Sequence, residues 1–255
     1  MSDPVKVWRE REGRLLRLRL DRPKANILDE ALVTALDASL AEHGEAPQLQ
    51  GILIDASGPH FSFGASVEEH LPEQCAAMLA SFHRLVLRVL RSPVPVMMAV
   101  RGQCLGGGLE LVSAGHLIFA SPDARLGQPE IQIGVFAPAA SCLLPERIGR
   151  AAAEDLLISG RSISAEDALR IGLITAVVSD PEAAALDYFE KHLAPKSASS
   201  LRFAVRAARL ALVARVTAAL AEAERYYLED LMKTRDAVEG LEAFLEKRPA
   251  QWTGN

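Results

Sequence analysis

Residues 94–110 have the sequence VPVMMAVRGQCLGGGLE, in which an apolar run leads through three consecutive glycines to a glutamate. The run at 94–100 has the length and composition of a β-strand that is buried on both faces. The residues at 109–114 predict a short helix with Glu110 at its start. A strand, a tight glycine turn and a helix in this order indicate an α/β fold.

Strand and helix patterns alternate along the rest of the chain. We predict further strands at 16–20, 51–55 and 117–120, and a first helix that is capped by Asp29. The apolar face of a second helix is marked by Leu79, Phe82, Val86 and Leu90. Helices are predicted in the second half at 151–158, 165–170, 200–231 and 236–247, the last with Asp236 in a capping pattern. Because crossover helices join parallel neighbours, the strands should be largely parallel.

The composition is that of a folded globular protein, with 49% hydrophobic and 24% charged residues. The net charge of −5 provides no field for a polyanion, so nucleic acid is not expected as a partner. The apolar stretch at 93–100 is half the length of a membrane span, and the N-terminal residues lack a secretory pattern. We therefore predict a cytoplasmic protein with no membrane partner.

The cysteines and histidines show no pattern of a disulfide framework or a metal site. The three cysteines are odd in number and far apart, which favours reduced thiols. No two of the six histidines have the spacing of zinc ligands, so no metal is predicted. The run at 102–108 also lacks the lysine of a phosphate-binding loop. A serine nucleophile elbow around Ser66 is not expected either, because Glu68 occupies a position where that turn needs a small residue.

Two glycine-containing turns, at 63–66 and 105–108, remain as candidate sites. Each can present free backbone N–H groups to a substrate oxygen at the start of a helix. Two glutamates in apolar surroundings accompany them, Glu110 and Glu130, and either can act as a general acid or base. The alternative is purely structural, because glycine turns also permit tight packing and the helix dipole favours glutamate at a helix start.

Five stretches in this order together resemble the crotonase superfamily of coenzyme A thioester enzymes. They are DRPKAN at 21–26, FSFGA at 61–65, the run at 102–110, LGQPE at 126–130 and GRSISAEDA at 160–168. The resemblance implies a spiral of ββα units over residues 1–195 and a C-terminal helical region over 196–255 that builds homotrimers or homohexamers. From periodicity alone, these C-terminal helices could equally cover the core of their own chain.

The resemblance also implies the roles of individual residues. The backbone N–H groups of Ala65 and Gly107 match the oxyanion hole for the thioester oxygen, and Glu110 and Glu130 match the two acid/base glutamates of the hydratases. An acyl-CoA thioester is then the substrate, and no separate cofactor is needed. Residues that match the path of the coenzyme A moiety are Lys24, Ala25, Ile27, Ser66, Val67 and Glu68.

The chain departs from the general hydratase pattern beside the acyl group. Ser66 replaces an aspartate, and Phe136 and Pro138 lie where a glycine-rich loop is usual. An apolar, stiff wall favours a flat ring over a straight chain. Residues 58–70, 134–144 and 197–203 resemble the hydratases of cyclic dienoyl-CoA thioesters in anaerobic aromatic degradation. The alternatives are hydration of ordinary 2-enoyl-CoA, double-bond isomerisation, and RNA binding, which one superfamily member performs.

Overall fold

The computed structural model describes residues 3–255, and within them the chain forms nine β-strands and nine α-helices. The strands are β1 Val5–Glu10, β2 Leu15–Leu20, β3 Gly51–Ala56, β4 Val96–Val100, β5 Gln103–Leu105, β6 Leu117–Ala120, β7 Arg125–Gly127, β8 Ser162–Ser164 and β9 Ala176–Val177. The α-helices are α1 Glu30–His43, α2 Cys75–Leu90, α3 Gly107–Ala114, α4 Pro138–Ile148, α5 Arg150–Ser159, α6 Ala165–Arg170, α7 Pro181–Tyr188, α8 Ala198–Glu229 and α9 Arg235–Leu245. Short 3₁₀ helices lie at Glu68–His70, Pro129–Ile133 and Leu231–Lys233, and a π-helical turn lies at Phe189–Leu193.

Six strands form the main sheet in the order β1-β2-β3-β4-β6-β9. The β1–β2 pair is antiparallel, and every other pair in this sheet is parallel. A second sheet has the order β5-β7-β8, in which β5 and β7 are parallel. The predicted α/β class with largely parallel strands is therefore confirmed.

Both faces of the main sheet are covered. On β2, Leu16, Leu18 and Leu20 belong to the large core beneath α1 and α2, whereas Leu15 packs on the opposite face against Phe189. This alternation follows from the two-residue period of a strand. Arg17 also points to the second face, where α7 covers it and leaves it only 2% exposed.

Capping side chains define where several helices begin. Asp29 accepts a hydrogen bond from the N–H of Leu32 and starts α1, as predicted. The prediction that Asp236 starts the last helix is wrong, because Thr234 caps α9 by accepting from Ala237 N–H. Asp236 instead lies in the first turn, where its carboxylate accepts hydrogen bonds from Thr253 and Gly254.

The long helix α8 covers the core of its own chain with one side only. Val216 and Leu220 are buried in the main core, and α8 packs against α2 and α4. On its outer side, Phe203 is 72% exposed and Leu210 is 66% exposed. The inner face of α8 therefore covers the core of its own chain, which is one of the two possibilities that periodicity left open. The outer face of α8 is exposed.

The described part of the chain contains neither a candidate membrane-spanning helix nor a candidate metal-binding cluster. Among residues 3–255, no helix is both long and apolar enough to cross a bilayer. Over the same residues, no group of three or more His, Cys, Asp or Glu side chains is close enough to hold a metal ion.

Candidate active site

A cavity of about 330 Å³ lies where the loop after β3, the start of α3 and the 3₁₀ helix at Pro129–Ile133 meet. Its floor and walls come from five parts of the chain that are distant in sequence. The lining residues are Phe63, Gly64, Ala65, Val67, His70, Met78, Leu79, Phe82, Gly106, Gly107, Glu110, Pro129, Glu130, Gln132, Ile133, Phe136, Ala137, Pro138 and Phe244.

The backbone N–H groups of Ala65 and Gly107 lie side by side at the cavity. A Cβ placed on Gly107 would be 3.2 Å from the nitrogen of Ala65, so glycine allows this close approach. Gly107 is the first residue of α3, where a backbone N–H has no partner within the helix. Neither N–H donates to any backbone or side-chain atom of residues 3–255. The pair can therefore bind an oxyanion.

Glu110 lies in the first turn of α3 and is 5% exposed. Its Oε1 accepts a hydrogen bond of 2.8 Å from the backbone N–H of Ala140. Burial raises the pKa of the Glu110 carboxyl, whereas the Ala140 N–H and the nearby imidazole of His83 act to lower it. Burial is the larger effect, so the pKa of Glu110 lies above the value of a free glutamate.

Glu130 approaches the same cavity from the 3₁₀ helix, with its carboxyl group over the backbone of Gly106. Burial, together with the charge of Glu110, raises the pKa of Glu130 to about 8. Two carboxyl groups in one buried site cannot both ionise easily, because each negative charge raises the pKa of the other group. Each carboxyl group has a donor that favours its charged form, the Ala140 N–H at Glu110 and the Gln128 amide at Glu130, and burial raises the pKa of both.

Gln128 belongs to the site, although its sequence pattern alone does not predict a role for its side chain. Its side chain is 1% exposed and lies against the carboxyl group of Glu130. When its amide nitrogen faces Glu130, it donates to Oε1 at 3.1 Å and to Oε2 at 3.0 Å. The predicted motif at 126–130 contains Gln128, but only the fold shows that its side chain supports Glu130.

Phe136 and Pro138 form an apolar wall of the cavity, as predicted. Pro138 is the first residue of α4, a position where the missing N–H of proline costs nothing. The ring of Phe136 packs against Tyr227 with 5.2 Å between ring centroids, and this contact restricts its movement. The wall is therefore backed by a second aromatic side chain from α8.

Seven of the twelve predicted site residues line the cavity: Glu110, Glu130, Ala65, Gly107, Val67, Phe136 and Pro138. The other five, Lys24, Ala25, Ile27, Ser66 and Glu68, lie outside it. Ala25 is nevertheless next to the site, because its carbonyl accepts a hydrogen bond from Phe63 N–H. His70 lines the cavity, and its Nδ1 lies 2.7 Å from the carbonyl oxygen of Ser66.

Apolar residues of α2 and α9 also line the cavity, although their sequence pattern predicts only a core role. Leu79 and Phe82 have helical spacing and were assigned to the core, yet both also line the cavity. Phe244 arrives from α9, far along the chain. Periodicity indicates which face of a helix is covered, and it does not indicate whether a core or a ligand covers it.

Comparison with known proteins identifies the family. Residues 10–255 match the enoyl-CoA hydratase/isomerase family, and the chain belongs to this family. It is 63% identical over 251 residues to cyclohexa-1,5-dienecarbonyl-CoA hydratase of Thauera aromatica, covering 98% of this chain and 97% of that protein.

More distant relatives support the same family. A probable enoyl-CoA hydratase of Bacillus subtilis is 31% identical, with 93% of this chain and 94% of that protein covered. The crystal structure of an enoyl-CoA hydratase/isomerase from Pseudoalteromonas atlantica superimposes with a TM-score of 0.85 at 28% identity, covering 98% of this chain and all of that one. The predicted crotonase-like fold is thereby confirmed.

Proposed function

We propose that the protein adds water to cyclohexa-1,5-diene-1-carbonyl-CoA and forms 6-hydroxycyclohex-1-ene-1-carbonyl-CoA. The observation that carries this proposal is the pair of buried glutamates, Glu110 and Glu130, both with a raised pKa, beside the free N–H groups of Ala65 and Gly107. The high identity to a hydratase with this substrate in its name supports the ring-shaped acyl group.

The first step is the attack of water on the ring. Ala65 and Gly107 hold the thioester oxygen, and their N–H groups stabilise the negative charge that develops on it. Glu110 accepts a proton from water while the oxygen bonds to the ring carbon β to the carbonyl. The electron pair of the attacked double bond moves toward the thioester, and the product of this step is a dienolate.

The second step is protonation of the dienolate. The second ring double bond extends the dienolate, and Glu130 gives its proton to the far end. The hydroxyl group and the new proton then lie at the two ends of the former diene, so the overall reaction is a 1,4-addition of water. The remaining double bond is conjugated with the carbonyl. Transfer of a proton from Glu110 to Glu130 restores the starting state, and the atoms of one water are accounted for.

The apolar wall supports a ring over a straight chain. Phe136 presents an aromatic face, and Pro138 fixes the backbone beside it. A flat ring buries more surface against such a wall than a short flexible chain does, and it loses less conformational freedom on binding. The substrate carries its own coenzyme A, so no separate cofactor is required.

We also propose a homotrimer or homohexamer with α8 in the interface. The exposed apolar side chains Phe203 and Leu210 support an interface there. The core at 1–195 and the C-terminal helices at 196–255 remain our proposed division of the chain. Three unpaired cysteines support the proposed cytoplasmic location.

The test is product formation from the cyclic dienoyl-CoA, with crotonyl-CoA as the competing substrate. We expect wild type to prefer the ring, and E110Q and E130Q to lose at least about 100-fold in kcat. E42Q serves as the matched control, because the Glu42 side chain is 76% exposed. Preference for crotonyl-CoA would refute the ring substrate, and full activity of both glutamine variants would refute the two-glutamate mechanism.

A further inference from the structure

Ser62 connects the two loops that present the backbone N–H groups of Ala65 and Gly107. It is 0% exposed, and it is not among the residues that line the cavity. Its backbone N–H donates to the carbonyl of Gln103 at 3.0 Å, and its own carbonyl accepts from Leu105 N–H at 3.0 Å. Ser62 is thereby bonded to β5, the strand that ends two residues before Gly107. The mechanism described above does not use Ser62.

The hydroxyl group of Ser62 makes two further hydrogen bonds inside the protein. It donates to the carbonyl of Asn26 at 2.8 Å and accepts from the N–H of Gly64 at 3.0 Å. One hydroxyl can fill both roles, because it carries one proton and two lone pairs. Gly64 is followed directly by Ala65. The hydroxyl therefore holds the peptide plane immediately before the plane that contains the Ala65 N–H.

The peptide plane that contains the Ala65 N–H is held at its other end. The carbonyl oxygen of Gly64 accepts a hydrogen bond of 2.9 Å from the N–H of Leu28. In a planar trans peptide the N–H points away from the C=O. The contact with Leu28 therefore directs the Ala65 N–H, and the contact with the Ser62 hydroxyl fixes the plane before it.

Ser62 also packs against the loop that carries Gly107. A Cβ placed on Gly108 would be 2.8 Å from the Cβ of Ser62 and 3.1 Å from its Oγ. Only a glycine allows the backbone at this position to come so close. The Ser62 side chain therefore contacts one neighbour of each N–H donor, since Gly64 precedes Ala65 and Gly108 follows Gly107.

We propose that Ser62 is a positioning residue that sets the separation and direction of the Ala65 and Gly107 N–H groups. The use of those N–H groups as oxyanion donors rests on the proposed function. Two donors stabilise one oxyanion only when both point at the position that the oxygen takes in the transition state. An error in their direction therefore weakens the transition state more than it weakens binding of the substrate.

The kinetic test is S62A, which removes both hydrogen bonds of the hydroxyl and keeps those of the backbone. The buried Gly64 N–H and Asn26 carbonyl then lose their shared partner. We expect kcat for the cyclic dienoyl-CoA to fall about 10- to 100-fold while KM stays within about twofold.

S92A is the matched control for the loss of a buried hydroxyl. Ser92 is also buried, and its hydroxyl donates to the carbonyl of Val94 at 2.8 Å and accepts from Val94 N–H at 3.4 Å. It does not line the catalytic cavity. S92A should therefore lose some stability in urea unfolding and keep the kcat of wild type.

The second test does not depend on turnover. Cyclohexanecarbonyl-CoA has no double bond to hydrate, and a ¹³C label at its thioester carbonyl makes the C=O stretch visible in difference infrared spectra. Two aligned donors polarise this bond and lower its frequency. We expect the lowered frequency in wild type and in S92A, and a shift smaller by at least about half in S62A.

The outcomes separate this proposal from the proposed function. An equal carbonyl shift in wild type and S62A would overturn the role of Ser62, as would an S62A variant that loses stability and keeps its kcat. A wild type that shifts the carbonyl without hydrating the ring would refute only the ring substrate. A wild type that binds the thioester without any carbonyl shift would refute the oxyanion donors and, with them, the role of Ser62.

Discussion

The carboxyl group of Glu130 lies over the backbone of Gly106 so closely that a Cβ on Gly106 would come within 2.5 Å of Glu130 Oε1. Gly106 also has a positive φ of 50°, a conformation that side chains rarely adopt. Gly106 therefore restricts the position of the Glu130 carboxyl group, and it directly precedes Gly107, whose N–H we propose as an oxyanion donor. In that proposal, the acid and the oxyanion donors depend on the same short stretch of backbone.

The variant G106A should displace Glu130 and lower kcat by about 100-fold, because small displacements of a reacting group cost this much. Steady-state kinetics on the cyclic dienoyl-CoA measures the effect. G172A is the matched control: Gly172 has a φ of 81°, and a Cβ there would meet nothing within 4 Å. G172A should share the backbone strain and keep its activity. Wild-type turnover by G106A would contradict the assigned position of Glu130.

The hydration rate should decline as pH rises through about 8, because Glu130 then loses the proton that it gives to the dienolate. The profile of kcat/KM for the cyclic substrate measures this basic limb. In E130Q the residual activity should lack that limb. A basic limb that persists unchanged in E130Q would assign the acid to another group.

E130Q should be more stable than wild type above pH 8 and equally stable near pH 4. The folded protein holds the Glu130 proton more tightly than the unfolded chain does, so wild-type stability falls as pH rises from about 4.5 to about 8. We expect a difference of about 1 to 3 kcal/mol, measured by urea unfolding at several pH values. A gap that is largest at acidic pH would contradict the sign of this linkage.

R17A should destabilise the fold by about 3 to 5 kcal/mol. The Arg17 guanidinium is 2% exposed and binds Asp55 at 2.7 Å and Glu182 at 2.6 Å. Its loss empties a buried site and leaves both carboxylates with Arg19, which is 27% exposed, as their remaining shared partner. R215A is the control, because Arg215 is 58% exposed in its pair with Glu146 and should cost less than about 1 kcal/mol. If chemical denaturation gives equal losses of unfolding free energy for R17A and R215A, burial of the Arg17 guanidinium adds nothing to stability.

F136A should reduce the preference for the ring. Removing the aromatic wall takes away surface that the ring contacts, and we expect kcat/KM for the cyclic dienoyl-CoA to fall about 10- to 100-fold. Crotonyl-CoA reaches less of this wall and provides the internal comparison. A parallel loss with both substrates would indicate that Phe136 only supports the fold through Tyr227.

Local signals in the sequence were sufficient for the central fold. The apolar run before the glycines became β4 and the helix after them became α3, because strand burial and helix start signals act over a few residues. Residues 117–120 and 165–170 form the predicted strand and helix exactly as delimited. The helix α4 was missed, since Pro145 lies inside it and its apolar residues show no clear period.

The residues of the candidate site that could be predicted from the sequence are those that belong to short sequence motifs. Glu110, Glu130, Ala65 and Gly107 were found because each belongs to a short pattern. Gln128 was missed as a site residue, because its importance depends on its contact with Glu130 in the folded chain. The charge partners of Arg17 were equally hidden, since Asp55 and Glu182 come from other elements. Contacts between residues that are far apart in the chain leave no pattern in the local sequence around either residue.

Phe244 on the last helix closes a cavity whose acid and base lie far upstream in the chain. A ribosome synthesises Glu110 and Glu130 long before it synthesises the residue that completes their enclosure. Until α9 is synthesised and docks, the cavity lacks this apolar residue of its lining. The enclosure of a site built from upstream residues is therefore completed at the end of synthesis.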